Sequence, residues 1–510
     1  MRIWHIMYLN IILYYNVGFV PVVFLCHRNR LCTEHETERK IIMKKADKIN
    51  QRDLRELERR RKQQAKIPYA AYLFVLCVVV TLIHVVDEIA TNLGNMVQSS
   101  VVNEFFVLGL GQTYNEGLAT MGTLSLVVGQ LSLIAPFYKS LADRFGRKMF
   151  LVLNTFGFGL GLFVCFISKN FLLYAVGLAI INFFIAHDMQ VVFILETAPK
   201  DKRATIYGLT KCLGTVGLVL VPVLRRVFLD ADATNWRPLF LIPGILALIV
   251  GVIGLFFIFE SKVFVDSRIA FLEKPYEERH PAKVKLTKEE KKTLKKSQRK
   301  AGVFPAIKYL FTHNKDLRWL TIAYIILSVA MVPMSQYYES IMSTGGMTTA
   351  QITDAQFVYP FGFAAIIMLG GLIGDKFGRK RTALVTGIVS MITFCLFVYG
   401  ASHGWNSYFI GVLYSCFLGG YWTCMDYLTL MATEKVPTDV RGSTLGAFSL
   451  LQFAGIGVGM GGLLGGLAIF KTAFVGTICA CIAVPALILS LLVAIAKVQE
   501  TRGTDLDSID

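Results

Sequence analysis

Two stretches, Leu141-Ala-Asp-Arg-Phe-Gly-Arg-Lys148 and Ile373-Gly-Asp-Lys-Phe-Gly-Arg-Lys380, repeat one pattern: an Asp, a basic residue, and then Phe-Gly-Arg-Lys. Each stretch lies between two apolar runs, which is typical of a short basic turn between two membrane-crossing helices. The glycine permits a backbone turn that a Cβ would resist, and the Asp can cap the helix that follows. Two copies in matching apolar surroundings indicate a membrane fold built from two duplicated halves.

The composition is that of a membrane protein. Hydrophobic residues make up 54% of the chain and charged residues 17%, against roughly 25% charged residues in soluble domains. The mean hydropathy is +0.55. The net charge of +17 is concentrated in short basic segments between apolar runs, which argues against nucleic-acid binding. Ten cysteines without a Cys-x-x-Cys pair support neither a disulfide framework nor a zinc site, so we expect no metal and no cofactor.

The sequence before the first long apolar segment has two parts. Residues 3–25 are mostly apolar and lack a small-residue cleavage site, which leaves an extra span or an uncleaved signal open. We interpret residues 1–42 as a dispensable extension, or as no part of the mature protein, because Met43 would make an ordinary start. Residues 44–66 hold ten Lys or Arg residues. They predict a basic cytoplasmic arm near anionic lipid, either an amphipathic helix or a disordered segment.

Twelve apolar segments of about 20 residues follow, each long enough to cross a bilayer as a helix. Numbered as spans one to twelve, they begin near Tyr69, Leu118, Met149, Phe171, Thr205, Leu239, Trp319, Ala355, Thr382, Tyr408, Ser443 and Thr472. We therefore predict an all-α membrane protein with twelve transmembrane helices in two six-helix halves. The basic segments place both termini in the cytoplasm of a protein integral to the plasma (cell inner) membrane.

The outer segments mostly obey this charge rule. Arg225, Arg226 and Arg237, between spans five and six, break it, and they are either tolerated exceptions or part of an outer vestibule. Three other segments predicted to lie outside contain no Lys or Arg: residues 91–117, 334–357 and 400–406.

The spans divide the chain into five predicted regions. The centre of the linker between the halves, residues 288–300, is highly charged, and its i,i+4 charges are compatible with short helices. In chain order the regions are an N-terminal extension with the basic arm (1–66), the N-terminal half (67–260), the cytoplasmic linker (261–317), the C-terminal half (318–498) and a cytoplasmic tail (499–510).

A second repeated element follows spans four and ten. Glu196-Thr-Ala-Pro199 is followed by Arg203, and Glu434-Lys-Val-Pro437 is followed by Arg441. In each copy the proline interrupts the helix between an acid and an Arg seven positions later. Because an acid near the membrane surface is costly unless paired, we expect these carboxylates to form ion pairs with arginines of the Gly-Arg-Lys turns.

These repeats resemble the major facilitator superfamily, in which each six-helix half carries such a turn between its second and third helices. Tyr337-Tyr338, Glu260-Ser261 and the segment 498–509, which has Gln499 in place of a Pro, are similar to motifs of the sugar porters in that family. The first turn differs by having Lys139 where the family usually has Gly. The resemblance implies a cytoplasmic gate that closes when the cavity faces outward. Its residues would be Asp143, Arg144, Gly146, Arg147, Lys148, Glu196, Arg203, Asp375, Gly378, Arg379, Lys380, Glu434 and Arg441.

The substrate side matches the sugar porters less well. Where hexose carriers have glutamines, this chain has Leu327, Ser328 and, on span five, Lys211. Sugar hydroxyls need several uncharged donors and acceptors that converge on one cavity. The sequence therefore does not favour a plain hexose as substrate.

Ionisable groups occupy the predicted spans instead. They are costly in lipid unless they are paired or functional. His84, Asp87 and Glu88 share one face of span one, and proton-coupled sugar porters have an Asp at the position of Asp87, so we expect these three to couple protons. Another ionisable residue, Glu339, lies near the outer end of span seven. For Lys211, a structural ion pair with Asp188 or Asp87 is an alternative to a role in substrate binding. The substrate-cavity candidates are Lys211, His187, Asp188, Gln336, Tyr337, Tyr338, Trp422, Asp426 and Tyr427.

The sequence thus predicts a secondary active transporter that works by alternating access. Its partners would be a small polar or charged substrate, such as a sugar-like compound, a sugar acid or a carboxylate, together with protons and the lipid bilayer. A Gly-x-x-x-x-Gly-Lys-Ser/Thr loop for ATP is absent from the sequence, and no nucleophile constellation indicates an enzyme. A drug or organic-ion efflux carrier and a non-transporting sensor with the same fold are the alternatives.

Overall fold

A computed structural model describes most of the chain. The described residues are 49–65, 69–129, 146–184, 193, 203–230, 233–275, 278, 303–312, 315–436 and 441–501. Residues 1–42, the predicted extension, lie outside this part. The chain divides into two compact units: residues 1–67 with 265–284, and residues 68–264 with 285–510.

The described residues form helices joined by short turns; these are α-helices except for a π-helix, Asn103–Leu108, and a short 3₁₀ segment. In chain order they are α1 (49–65), α2 (Tyr69–Met96), α3 (Gln98–Val102), α4 (Tyr114–Gly129), α5 (Arg147–Phe166), α6 (Phe171–Phe183), α7 (Arg203–Val216), α8 (Leu220–Phe228), α9 (Pro238–Phe257), α10 (Lys262–Glu273), α11 (Val303–Thr312), α12 (Lys315–Val329), α13 (Met331–Ser335), α14 (Tyr338–Thr344), α15 (Thr349–Phe377), α16 (Arg379–Ser402), α17 (Ser407–Thr433), α18 (Arg441–Ile469) and α19 (Val475–Lys497).

A helix begins within six residues of every predicted span start. Seven helices in the described part are long and apolar enough to cross a membrane by length and composition. They correspond to spans one, three, six, eight, nine, eleven and twelve. At 1.5 Å per residue, the 20 residues of α5 reach about the thickness of a hydrocarbon core.

Spans five and seven are interrupted, which the apolar pattern did not predict. In span five a short 3₁₀ segment, Gly217–Val219, joins α7 to α8. Span seven is divided into α12, α13 and α14. Pro333 lies inside α13, and a proline removes a backbone donor from any helix that contains it. The resulting breaks place short helices at the end of the bundle where ion pairs between the halves occur.

The helix starts at the two ends of the bundle are capped differently. We call the end where α5 and α16 begin the motif end, and the other end the opposite end. At the opposite end, polar side chains cap the next helix: Asn170 accepts a hydrogen bond from the Leu173 amide, and Thr348 forms a capping box with Gln351 at the start of α15. At the motif end, α5 and α16 begin after Gly146 and Gly378.

Within the larger unit, we call residues 69–264 the N-half and residues 303–501 the C-half. In the N-half, α5 packs against α6 and α9, and in the C-half α17 packs against α15 and α16. Helices α7 and α8 pack against α15, and α4 packs against α18. The two halves therefore meet along two sets of helices.

The smaller unit pairs α1 with α10. Leu57 is buried against three residues of α10 at helical spacing, Val265, Ile269 and Leu272. This pairing agrees with the amphipathic-helix alternative for the basic arm, and α10 and α11 supply helices within the predicted linker. The linker centre, residues 288–300, lies outside the described residues.

Candidate functional site

The two Gly-Arg-Lys turns have the same backbone. Gly146 has φ +114° and Gly378 has φ +104°, a region that side chains with a Cβ rarely adopt. These φ values agree with the expectation that glycine permits a backbone turn that a Cβ would resist. An added Cβ would also meet the Glu260 carboxylate at the first turn and the Glu500 carboxylate at the second.

These two glutamates bind the first amides of the next helix. Glu260 Oε1 accepts hydrogen bonds from the Arg147 and Lys148 amides at 2.9 and 3.1 Å. Glu500 Oε1 accepts one from the Arg379 amide at 2.8 Å, and Oε2 accepts one from the Lys380 amide at 3.1 Å. A carboxylate at a helix N-terminus satisfies amides that have no partner within the helix. The sequence predicts that the Asp of the turn caps this helix, whereas the capping carboxylates that the structure describes belong to Glu260, after α9, and Glu500, after α19.

The lysines of the turns also have matching contacts. Lys148 donates to the Leu255 carbonyl at 2.7 Å, and Lys380 donates to the Ile495 carbonyl at 3.0 Å. Each turn is thus tied to the last helix of its own half by a carboxylate and an ammonium group. The duplication inferred from sequence extends to these partners.

The second repeat supplies an ion pair in the C-half. Arg379 Nε lies 3.4 Å from Glu434 Oε1, and Thr501 Oγ1 donates to Glu434 Oε2 at 2.5 Å. Lys435 pairs with Asp316 of α12. These contacts hold α16, α17 and the chain after α19 together within one half. Asp143, Arg144 and Glu196 of the predicted gate lie outside the described residues, and of Arg203, Asp375 and Arg441 only the backbone is described.

Span one presents the predicted polar face. His84 Nε2 lies 3.5 Å from Glu88 Oε1, and Asn92 donates to Glu88 Oε2 at 3.2 Å. Asp87 is fully buried. A Cβ at Gly214 of α7 would meet the His84 ring, so the glycine allows spans one and five to approach closely at this level. His84 therefore lies where α2 packs against α7, and it pairs with Glu88 one turn further along α2.

Lys211 and Asp426 bring charge from both halves. Lys211 lies on α7 and its side chain is half-buried. Asp426 lies on α17 and its side chain is exposed. The Lys211 ammonium attracts the Asp426 carboxylate. Asp426 is a charge of the C-half that acts on Lys211, in addition to Asp188 and Asp87, which the sequence suggests as partners. His187 and Asp188 lie outside the described residues.

The aromatic cavity candidates mostly pack between helices. The Tyr427 hydroxyl donates to the Gly370 carbonyl of α15 at 2.9 Å. Tyr337 and Tyr338 are both buried, and the Tyr338 ring stacks on Tyr414 with centroids 4.4 Å apart. Trp422 is half-buried. Gln336, also half-buried, follows α13 in the break before α14.

A buried lock joins the halves at the opposite end. The guanidinium of Arg225, at the end of α8, lies 3.8 Å from Glu339 of α14, and the two side chains are 1% and 2% exposed. Arg225 also donates to the Met96 carbonyl. Glu339 Oε2 accepts hydrogen bonds from the Ser99 amide and hydroxyl at 2.7 and 2.6 Å. We call Arg225, Glu339, Ser99 and the Met96 carbonyl the buried lock.

Polar contacts surround the buried lock. Tyr114 donates to the Ser340 hydroxyl at 2.9 Å, and Ser340 donates to Gln98 Oε1 at 2.6 Å. Arg226 pairs with Asp354 of α15. Each of these contacts joins the N-half to the C-half, and together they satisfy polar groups that burial would otherwise leave unpaired.

The arginines that break the charge rule therefore have assigned partners. Arg225 and Arg226 contact the C-half, and Arg237 pairs with Glu104 at 2.6 Å within the N-half. Sequence reasoning noted Arg225 and Glu339 separately but missed their pairing. The signals in the sequence were a cation in a segment predicted to lie outside and an acid directly after a tyrosine pair.

Comparison with known proteins identifies the family. The model of the Major Facilitator Superfamily matches residues 89–460, and a second match covers residues 340–504. The chain belongs to the Major Facilitator Superfamily. The predicted all-α membrane fold is confirmed, and so is the expectation of a transporter and not an enzyme. Among the described residues, no group of three His, Cys, Asp or Glu side chains could hold a metal ion.

Curated relatives cover much of this superfamily member. The glucose transporter GlcP of Staphylococcus epidermidis is 24% identical over 398 residues, which are 72% of this chain and 83% of that protein. The uncharacterized MFS-type transporter YfiU of Bacillus subtilis is 25% identical over 373 residues, 64% of this chain and 68% of that protein. Both proteins are MFS-type or sugar transporters by name.

Solved structures show the same fold. The D-xylose-proton symporter has a TM-score of 0.59 at 16% identity, and the match covers 85% of this chain and 99% of that one. The inward-open form of the xylose transporter XylE from E. coli has a TM-score of 0.59 at 16% identity, with 86% and 99% covered. At such identities the likeness concerns the fold alone.

Proposed function

We propose that this superfamily member is a secondary active transporter that alternates access between two membrane faces, and that the described state is closed at the opposite end. The observation that carries this proposal is the location of the contacts between the halves. The buried lock and its polar surroundings join the halves at the opposite end. At the motif end, the ion pairs and carboxylate–amide hydrogen bonds described above each lie within a single half.

The orientation follows from charge. The basic turns that contain Gly146 and Gly378 favour the cytoplasm for the motif end, because Lys and Arg are enriched in cytoplasmic loops. The opposite end would then face outside, and both termini would lie in the cytoplasm, with the plasma membrane as the expected location. In this orientation the described state faces inward.

The substrate we propose is a small polar or charged metabolite: a sugar-like compound, a sugar acid or a carboxylate. The named sugar transporters among the relatives favour a sugar-like molecule. Lys211 and Asp426 add charges of both signs from opposite halves, and a ligand that binds both would draw the halves together. A carboxylate on the substrate would bind the Lys211 ammonium.

Proton coupling is the second part of the proposal. His84, Asp87 and Glu88 lie at i, i+3 and i+4 on α2, and His84 packs against Gly214 of α7. Movement between the halves changes the solvent exposure of such groups, and exposure changes the affinity of a carboxylate for a proton. Asp87 is the candidate with the deepest burial of the three.

The test has two steps with the full chain. Ligand-induced thermal stabilisation first screens sugars, sugar acids, carboxylates and organic cations, since a ligand that binds only the folded state raises apparent stability. Proteoliposomes with an inward proton gradient then measure uptake of the ligand found. Accumulation of a sugar, sugar acid or carboxylate supports the proposal. Ligand binding without uptake or counterflow would favour a sensor, and export of organic cations would favour an efflux carrier.

A further inference from the structure

Helix α1 of the smaller unit has two faces with different contacts. One face packs on α10 through Leu57, which is buried with Val265, Ile269 and Leu272. Beside it, Arg268 of α10 binds the Glu56 carboxylate through two nitrogens, each 3.1 Å from an oxygen. These contacts fix which side of α1 faces away from α10.

The side that faces away carries a row of cations. Arg52, Arg55, Arg59 and Lys62 are all exposed, and their spacing of three, four and three residues places them along one face of a helix. We call these four residues the cationic stripe. At 100° per residue, the stripe lies on the side of α1 away from Leu57. Glu56 is bound to Arg268 on the docked side, so its charge does not neutralise the stripe.

We propose that the cationic stripe is a binding surface for the anionic headgroups of the membrane into which α2 inserts. Three of the four cations are arginines, and the planar guanidinium of an arginine can bind a phosphate through two N–H groups. Because α1 is docked on α10, all four cations face in one direction. The inference is independent of which substrate the transporter carries.

Chain length supports the membrane as the partner. The sequence passes from Ala65 to the first residue of membrane helix α2, Tyr69, through residues 66–68. At no more than about 3.6 Å per residue, this connection spans roughly 14 Å at full extension. Basic segments so close to a membrane helix gain roughly a factor of five in association with anionic lipid for each cation.

The test measures the rate at which a Glu-specific protease cleaves the chain after Glu58, an exposed residue of α1 outside the stripe. The full chain is placed in nanodiscs of phosphatidylcholine alone or of a mixture with phosphatidylserine. Because this cleavage requires release of α1, its rate is proportional to the population of α1 that is not bound to the membrane. We expect several-fold slower cleavage in the anionic discs, and we expect high salt to restore the rate because it screens exposed charges.

Two variants with equal charge loss separate the stripe from net charge. Arg55→Gln with Arg59→Gln should remove most of the protection, about 25-fold in binding if each cation contributes about fivefold. Arg61→Gln with Lys274→Gln, which removes two exposed cations outside the stripe, should retain the protection. Glutamine keeps helix propensity close to that of arginine.

Three results would overturn the proposal. Equal cleavage in neutral and anionic discs would show that the stripe does not bind the membrane. Equal loss of protection in both double variants would assign the effect to net charge. Protection by inorganic phosphate in neutral discs, at the same ionic strength, would assign the stripe to a soluble anion.

Discussion

The charges of Lys211 and Asp426 underlie the proposed preference for a charged substrate. Lys211 stands where hexose carriers have a glutamine, and its attraction to Asp426 crosses from the N-half to the C-half. An ammonium group near a protein carboxylate can bind the carboxylate of a ligand in its place. The ammonium then keeps a counter-charge both with and without the ligand.

The first prediction removes this charge. Lys211→Gln should weaken binding of anionic substrates by about 10- to 100-fold, since a hydrogen bond to a charged group is worth roughly 1.5–3 kcal/mol. Lys211→Arg keeps the charge and serves as the matched control. Ligand-induced stabilisation of the two variants measures the difference. A substrate that is neutral or cationic, with equal affinity in both variants, would leave Lys211 a structural charge.

The second prediction concerns coupling. Asp87→Asn should support substrate exchange between equal solutions but not accumulation driven by a pH gradient, because an amide cannot alternate between charged and neutral forms. Thr91→Ser, a change one turn away on α2, is the control and should keep both activities. Proteoliposome counterflow and pH-driven uptake separate the two activities. Strong pH-driven accumulation by Asp87→Asn would remove Asp87 from the coupling role.

The third prediction concerns the glycine of the second turn. Gly378→Ala places a Cβ at φ +104° and into the Glu500 carboxylate. Gly404→Ala is the matched control, because Gly404 has φ +67° with nothing within 4 Å of an added Cβ. We expect about 1–2 kcal/mol of destabilisation for Gly404→Ala from backbone strain alone, and more for Gly378→Ala. Equal shifts in thermal unfolding would mean that the Glu500 contact costs nothing to displace.

These residues also mark the limit of sequence reasoning. The need for Gly146 and Gly378 could be read from a repeated local pattern, because φ is a property of one residue. Their carboxylate partners could not, since Glu260 and Glu500 lie more than 100 positions away along the chain. The pairing of Arg225 with Glu339 has the same character: each residue looked unusual alone, and only packing of α8 near α14 makes them a pair.

At the scale of elements, α1 and α10 form a small amphipathic pair with charged flanks. Leu57 supplies the apolar contact, Arg268 binds Glu56, and Arg61 lies 2.7 Å from Glu273. An exposed ion pair contributes little, whereas a bidentate contact beside an apolar cluster contributes more. The docking of α1 should therefore depend on Leu57 and Glu56 more than on Arg61.

The fourth prediction is the pH dependence of this docking. The hydrogen bond from Arg268 holds the pKa of Glu56 below its ordinary value of 4.5. Because the folded-state pKa is lowered, the stabilising contribution is fully present above pH 4.5 and is lost as pH falls through the lowered value. Hydrogen exchange of residues 49–65 should accelerate, relative to intrinsic rates, on acidification below pH 4.5.

Two variants check the source of this acid step. Glu56→Gln should abolish the acceleration of hydrogen exchange on acidification. In this variant, exchange of α1 should already be faster than in the unmodified protein at neutral pH. Glu58→Gln, which changes an exposed acid on the same helix, should keep the step. An acid step of equal size in Glu56→Gln would assign it to another group.

Helix positions were the most predictable elements, and helix breaks the least. A run of about 20 apolar residues needs only length to be recognised, and every predicted start lies within six residues of a helix start. The breaks in spans five and seven depend on how neighbouring helices pack around Gly217 and Pro333. Gly217 gives space to Val85 of α2, a contact that no local pattern in span five shows.

At the scale of the whole molecule, the buried lock and the motif-end pairs have opposite consequences for the two halves. The contacts at the motif end connect helices within a single half, whereas the buried lock connects one half to the other. A transporter that alternates access must separate the lock to open the opposite end. The closed state is therefore the one to which these buried contacts contribute their free energy.

The last prediction is that Glu339→Gln shifts the balance of states toward one that is open at the opposite end. The variant leaves the Arg225 guanidinium buried without its counter-charge, and breaking one partner of a buried pair costs about 3–5 kcal/mol. This cost destabilises the closed state, so the ratio of open to closed populations should rise by roughly 10²–10⁴. The double variant with Arg225→Gln should restore part of the balance.

Hydrogen exchange in nanodiscs distinguishes this shift from simple destabilisation. Opening should speed exchange in α3 and α14 and slow it where α16 begins and α17 ends, whereas loss of stability speeds exchange at both ends. Glu116→Gln is the matched control: Glu116 lies 2.6 Å from Lys471 across the same two halves, but the side chains are 29% and 57% exposed, and such pairs contribute little. Faster exchange at both ends in Glu339→Gln, or an equal response in Glu116→Gln, would show that Arg225 and Glu339 stabilise the fold without setting the balance of states.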